Sequence, residues 1–284
     1  SIFKELFSYS SWTLIGTMAY MFNTQGFNII LNLFFGPIVN AAYAIGNQVR
    51  VVINQFSANF YTAVRPSLIK SYGRKDYNES INLLEMSSKI IFSLLFVIVL
   101  PLSIKIDLIL QFWLGEISEY MVDFVRLLLI WAIILSISDP ITTVVQAANK
   151  VKIYHLMVDG FTLISLPFTY FTCRYGLTPQ YAFYISILIL IIAHIIRLFI
   201  LQNIILSYPI TEYLKNVLLP IVYTITVALP IAIFMSEFFG DTFFQMIISC
   251  ITSFGIASLS IMFLLFSKSE RYGLCNLIKK RFKQ

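Results

Sequence analysis

Long apolar runs occupy nearly the whole chain, and the lysines and arginines between them fall almost entirely on alternate connections. A hydrocarbon core of roughly 30 Å is crossed by about 20 mostly apolar helical residues. Eight such runs are readable: Tyr9 to Phe34, Ala41 to Leu68, Ile81 to Leu102, Tyr120 to Ala147, Ile153 to Cys173, Pro179 to Leu206, Tyr213 to Met235 and Thr242 to Phe266. They are unbroken rather than alternating in polarity, which selects helices over the strands of a closed barrel. Charged residues make up only 12% of the sequence and hydrophobic ones 58%, against about 25% charged in a soluble domain. A water-facing surface cannot be built from this composition. The sequence predicts an all-α polytopic membrane protein with eight transmembrane helices.

Lys and Arg set the orientation. The side holding both chain ends carries Lys4, Arg65, Lys70, Arg74, Lys75, Lys150, Lys152 and Lys215, then Lys268, Arg271, Lys279, Lys280, Arg281 and Lys283. The other side has Lys105 and Arg174. This makes the first side cytoplasmic. The net charge of +6 arises mainly from those loops and the tail. It reads as topology and contact with membrane lipids, not as nucleic-acid binding. Cys173, Cys250 and Cys275 have no metal spacing and are expected as free thiols; no cofactor is expected. The chain opens on Ser1, with no signal peptide and cleavage site, and reads as a fragment or a processed piece. Ile106 to Tyr120 reads as a short amphipathic segment in the outer interface, anchored by Trp113. Residues 1–206 hold most of the intramembrane polar groups and form a six-helix bundle. Residues 207–267 add a helix pair, and residues 268–284 a basic tail.

The polar residues inside the spans are the functional candidates. Thr13, Thr17, Tyr20, Thr24 and Asn28 share one face of the first helix, and Asn23, Thr24, Gln25 and Gly26 interrupt its apolar run. Gly26 is a candidate bend. Asn47, Arg50, Asn54 and Ser57 share a face of the second helix, with Gln48, Gln55 and Asn59 beside it. The turn Gly36-Pro37-Ile38-Val39-Asn40 makes the two helices antiparallel neighbours. Arg50 lies roughly 14 Å into its helix at about 1.5 Å per residue, near the midplane. Its burial against lipid costs at least about 2.5 kcal/mol. It must therefore face a wet cavity or an anion such as phosphate, or pair internally, for instance with Asp139. Asp139 precedes Pro140, which removes a backbone donor and kinks the fourth span; the carboxylate serves either that kink or a proton or cation site. Asp159 reads as a buried hydrogen-bond partner and His194 as a packed histidine. Arg126 and Arg197 are close enough to helix ends to snorkel, and Glu85 with Lys89 forms an i,i+4 pair. No phosphate loop, paired-histidine metal motif or GxSxG is present, so transport is expected ahead of enzymatic chemistry.

Phe22-Asn23-Thr24-Gln25-Gly26, Asn32-Leu33-Phe34-Phe35-Gly36-Pro37 and Asn40-Ala41-Ala42 resemble the seventh and eighth helices of bacterial polysaccharide flippases. These belong to the multidrug/oligosaccharidyl-lipid/polysaccharide exporter superfamily. Gln48-Val49, Asn54-Gln55-Phe56, Pro66, Lys70-Ser71-Tyr72, Trp113-Leu114-Gly115 and Gln146-Ala147 extend the resemblance over essentially the whole chain. The resemblance implies a MATE-like fold of two six-helix lobes around a central cavity, of which this chain is the second lobe plus two helices. The N-terminal six-helix lobe of the same protein would be its partner. The implied activity is translocation of polyprenyl-diphosphate-linked oligosaccharide across the bacterial cytoplasmic (inner) membrane during biosynthesis of surface polysaccharide such as lipopolysaccharide O-antigen. Arg50 would meet the diphosphate, Gln25, Asn28, Asn47 and Asn54 the sugar hydroxyls, and Asp139, Pro140 and Gly26 would serve coupling or bending. The alternative is a multidrug or cation antiporter of the same superfamily. A membrane glycan polymerase or ligase is disfavoured by the short outer loops.

Overall fold

The computed structural model of the protein describes residues 2–273, and among these every regular element is a helix. Cys275 and the lysines and arginine at 279–283 of the expected tail lie outside them. Seven helices are long and apolar enough to cross a bilayer. In the labels used below, α1 is Ile2–Gly73, α2 is Tyr77–Ile104 and α3 is the short Ile106–Leu114. Met121–Ile137 is α4 and Asp139–Ala147 is α5. The last four, α6 to α9, are Val151–Arg174, Gln180–Ile204, Ile210–Ser236 and Phe243–Leu265.

The first two expected spans are one helical run of 72 residues. Straight, it would be about 108 Å long, more than three times the hydrocarbon thickness. It is folded back on itself at Gly36, whose φ of 78° and ψ of −174° are the only non-helical values inside it. That region of backbone space is essentially restricted to glycine. Pro37 then starts the second limb, where its missing N–H is not needed. The fold-back is plain from side-chain contacts: the Phe27 and Tyr43 rings are 5.4 Å apart, and Arg50 reaches Tyr20. The turn is thus a single residue rather than the five expected.

Gly26 is not a bend. The helix runs through it unbroken, and its missing side chain lets Leu166 Cδ2 come within 2.9 Å of where a Cβ would stand. Gly16 does the same for His155 and Asp159. The fourth span is interrupted as Pro140 requires. α4 ends at Ile137, Ser138 forms a turn, and α5 begins at Asp139 with the proline in its first turn. The Ser138 hydroxyl is shared between the Ile134 carbonyl and His194 Nδ1. In α6 a π-helical turn runs over His155–Asp159.

Capping follows local sequence. Asp76 accepts from the Glu79 N–H at the start of α2. Thr242 and Gln245 form a reciprocal capping box at the start of α9. The nine-residue α3 appears where an amphipathic segment was expected, with Phe112 and Trp113 exposed. The outer surfaces carry large apolar side chains such as Phe22, Ile29, Leu188 and Phe254, as expected where lipid is the solvent.

α8 and α9 pack on each other and on α2. The expected Glu85–Lys89 pair does not form. Glu85 instead accepts from Tyr208 Oη and, at 2.9 Å, from Asn216 Nδ2. Lys89 donates to Glu270 at 2.7 Å, and Tyr213 reaches Ser88. One polar face of α2 therefore fastens the last two helices to the bundle.

Candidate functional site

The two limbs of α1 and the facing sides of α4, α6 and α7 bring together Asn23, Arg50, Asp159 and Arg197 around two crevices. Arg50 is 4% exposed. Its Nε and Nη2 donate to Asn47 Oδ1 one turn earlier, and Nη1 lies 3.5 Å from Tyr20 Oη. The guanidinium carbon stands 4.4 Å from the centre of the Trp131 ring. Among the described residues no carboxylate lies within ion-pairing distance of Arg50. The internal ion pair with Asp139 is therefore not formed. A π face and neutral oxygens solvate this cation. Tyr20 itself is 49% exposed, so the guanidinium sits directly behind a phenol that faces outward.

Two small crevices open beside it. One, about 40 Å³, is bordered by Arg50, Asn23, Thr24, Tyr43, Trp131 and Ser186. The other, about 70 Å³, is bordered by Tyr20, Asn23, Asp159, Ser165, Ser186 and Arg197. With a water occupying roughly 30 Å³, these hold one or two waters each. They are far below the roughly 300–1,000 Å³ of small-molecule pockets. No sugar can occupy this interior as it stands, so any large ligand must meet the outer faces of the limbs or a space bounded by another body.

Of the sequence candidates, Arg50 and Asn47 are brought together. Asn54, two turns beyond Asn47, is half-buried with an Oδ1 that has no hydrogen-bond partner. Asn28 is half-buried and Gln25 exposed; neither borders the crevices. The first-limb hydroxyls are spoken for as donors: Thr13, Thr17 and Thr24 each donate to the carbonyl four residues earlier, leaving only acceptor capacity. Asn23 is a cross-helix anchor. It donates to the Thr162 carbonyl at 2.9 Å and to Ser165 Oγ at 2.7 Å, where α6 departs from helical bonding. Asp139 makes no ion pair, and its backbone carbonyl accepts from Tyr61 at 2.7 Å.

Further polar residues find partners within the bundle. Arg197 does not snorkel: it is 3% exposed, its Nε donates to Tyr154 Oη at 3.0 Å, and its Nη1 has no partner. Arg126 is half-buried and donates to the Ser103 carbonyl. Asp159 pairs with His155 Nδ1 at 2.6 Å. Neither His155 nor Trp131 was singled out in the sequence. The i,i+4 spacing of His155 and Asp159 was the available signal for one; a lone tryptophan in an apolar run carries none. Gln48, Gln55, Asn59 and Thr62 form an exposed polar stripe along the second limb, on the side turned away from Arg50, and Gln55 donates to Asn59 at 3.1 Å. Cys173 and Cys250 are free thiols.

Among the described residues no group of three or more His, Cys, Asp or Glu is placed to hold a metal ion. Comparison with protein-family models, with curated proteins and with solved structures finds no match to this chain.

Proposed function

We propose that the chain is the second lobe of a MATE-like exporter that moves a polyprenyl-diphosphate-linked oligosaccharide from the cytoplasmic to the outer leaflet. In this reading the hairpin at Gly36 crosses the membrane twice, giving eight passes with both ends cytoplasmic in a bacterial inner membrane. The observation that carries it is the Arg50 guanidinium, deep in its helix, 4% exposed and without a carboxylate partner among the described residues. A cation held at that depth by neutral partners alone keeps its full charge for a visiting anion such as diphosphate.

Two further observations support the reading. The amide stripe Gln48-Gln55-Asn59 is exposed on a helix that must cross lipid, and hydrocarbon cannot satisfy those groups. A second lobe or a watery cavity can. The interior crevices are only water-sized, so the glycan would travel between this lobe and the one preceding it. Rocking of the lobes would expose Arg50 as Tyr20 swings aside. Asn47 would hold the fork of the guanidinium for a bidentate diphosphate contact. Gln25 and Asn28 on the first limb and Asn54 on the second would meet sugar hydroxyls during passage, and the break before Pro140 would let α4 and α5 flex.

The test is complementation in cells lacking the native flippase, using the full-length protein with Arg50→Ala and Arg50→Lys. Loss of surface polysaccharide at normal membrane abundance is expected for Arg50→Ala, with partial function for Arg50→Lys. Undiminished polysaccharide in Arg50→Ala removes the reading. The second reading is a cation-coupled drug exporter, favoured by the lack of an ion-pair partner for Asp139; Asp139-dependent extrusion of a cationic dye from vesicles would select it.

A further inference from the structure

A cleft of about 260 Å³ lies where the first turns of α1 meet the start of α6, and it shares no lining residue with the crevices beside Arg50. Lys4, Ser8, Tyr9 and Trp12 border it from α1, and Asn149 and Lys152 from the opposite side. It offers two ammonium groups, two hydroxyls and an amide, and no carboxylate among the described side chains borders it. Lys152 Nζ stands 5.4 Å from the centre of the Trp12 ring, so a cation–π contact fixes one ammonium over the cleft. Neither Lys4 nor Lys152 has a carboxylate partner among the described residues.

The surfaces just deeper in the membrane change character. Leu156, one turn past Lys152 on the same face of α6, is 55% exposed, and Met157 beside it is 50% exposed. On α1 Ile15 lies two turns past Ser8 on the same face and is 46% exposed. One turn of helix is about 5.4 Å. A cationic, hydroxyl-lined cleft thus sits directly above an exposed apolar wall, with Trp and Tyr at the boundary where such rings mark the interface. That sequence of surfaces matches an amphiphile with an anionic head and hydrocarbon tails.

We infer that this cleft binds the phosphate headgroup of an anionic glycerophospholipid, with the acyl chains laid on the Leu156 and Ile15 surfaces. The inference does not depend on what the protein transports. Basic pockets between membrane helices bind anionic headgroups by this chemistry. Near an anionic surface each lysine contributes about 5-fold in affinity, so the pair contributes about 25-fold.

The experiment uses the full chain in phosphatidylcholine vesicles containing a rising fraction of brominated phosphatidylglycerol, a quencher of nearby tryptophan. The Trp12 component is obtained by difference from Trp12→Phe. The result expected is Trp12 quenching that saturates at a low phosphatidylglycerol fraction and exceeds that by brominated phosphatidylcholine. The midpoint should move about 25-fold higher in Lys4→Gln/Lys152→Gln. Lys4→Arg/Lys152→Arg should keep the original midpoint, which separates charge from misfolding. Equal quenching by the two lipids, or an unchanged midpoint in the glutamine variant, overturns the inference. Relief of quenching by millimolar inorganic phosphate overturns the lipid assignment, because it would mean that the cleft takes free phosphate without the tails.

Discussion

Glu270→Gln isolates the contact that fastens the far end of the chain to the bundle. Lys89 is 6% and Glu270 24% exposed at the side chain, with 2.7 Å between the charged atoms. Removing one partner of a fully buried pair costs about 3–5 kcal/mol. A quarter of Glu270 is still in contact with solvent, so about 2–3 kcal/mol is expected here. Most of that loss is the stranded Lys89 ammonium rather than the lost attraction. Lys89→Met alone should therefore cost less, and Lys89→Met/Glu270→Gln should recover most of the Glu270→Gln loss, a coupling that the double-mutant cycle of these three variants measures directly. Protonation does the same job as the substitution. Burial pushes the Glu270 carboxyl up, but the hydrogen bonds from Lys89 and from Ser267 outweigh it and hold the carboxyl below its ordinary value of 4.5. A depressed folded-state pKa gives stability that is present above that ordinary value and fades as pH falls through the folded value. Thermal unfolding in detergent, followed from pH 7 down to about pH 3, should show an acid loss in the parent that is blunted in Glu270→Gln. Equal acid sensitivity in the two proteins, or a single-variant cost below about 0.5 kcal/mol, would refute the argument, since that is the range of an ordinary surface pair.

Two glycines make separate predictions. Gly36→Ala places a side chain on a backbone with φ of 78° and ψ of −174° and should destabilise by about 1–3 kcal/mol, read as a lower unfolding midpoint, although open space surrounds the position; Gly26→Ala should be cheaper, because only the movable tip of Leu166 opposes it. Gly16→Ala sets a Cβ 2.1 Å from His155 Nδ1 and 2.8 Å from Asp159 Oδ2, so a loss of about 1–3 kcal/mol is expected. Adding His155→Ala removes the closest contact and should recover part of that loss, Asp159 keeping the remainder; no recovery at all would place the strain elsewhere.

The helical class and the approximate limits of the spans were legible because bilayer thickness and backbone satisfaction leave so few alternatives for an apolar run. Local chemistry was legible too. Pro140 breaks its span as read, and the polar faces of the two α1 limbs were visible in the three- and four-residue spacing. The fold-back of α1 stands at Gly36, within the turn read there, while the further bend expected at Gly26 does not occur, although both are glycines in apolar helix. Only the packing partner distinguishes them: Leu166 fills the space at one, and the fold-back needs the unusual dihedrals of the other.

By itself the sequence determined that the chain is built of helices long and apolar enough to cross a bilayer, and which side chains are too polar for hydrocarbon, because those properties depend on residues a few positions apart. What each polar group touches was decided by the tertiary structure. Trp131 rather than Asp139 faces Arg50, Glu270 rather than Glu85 holds Lys89, and Arg197 turns inward to Tyr154 rather than out to the headgroups. Each of those partners lies tens of residues away or more along the chain. A long charged side chain has several competing options of similar energy, and only the packing of whole helices removes all but one.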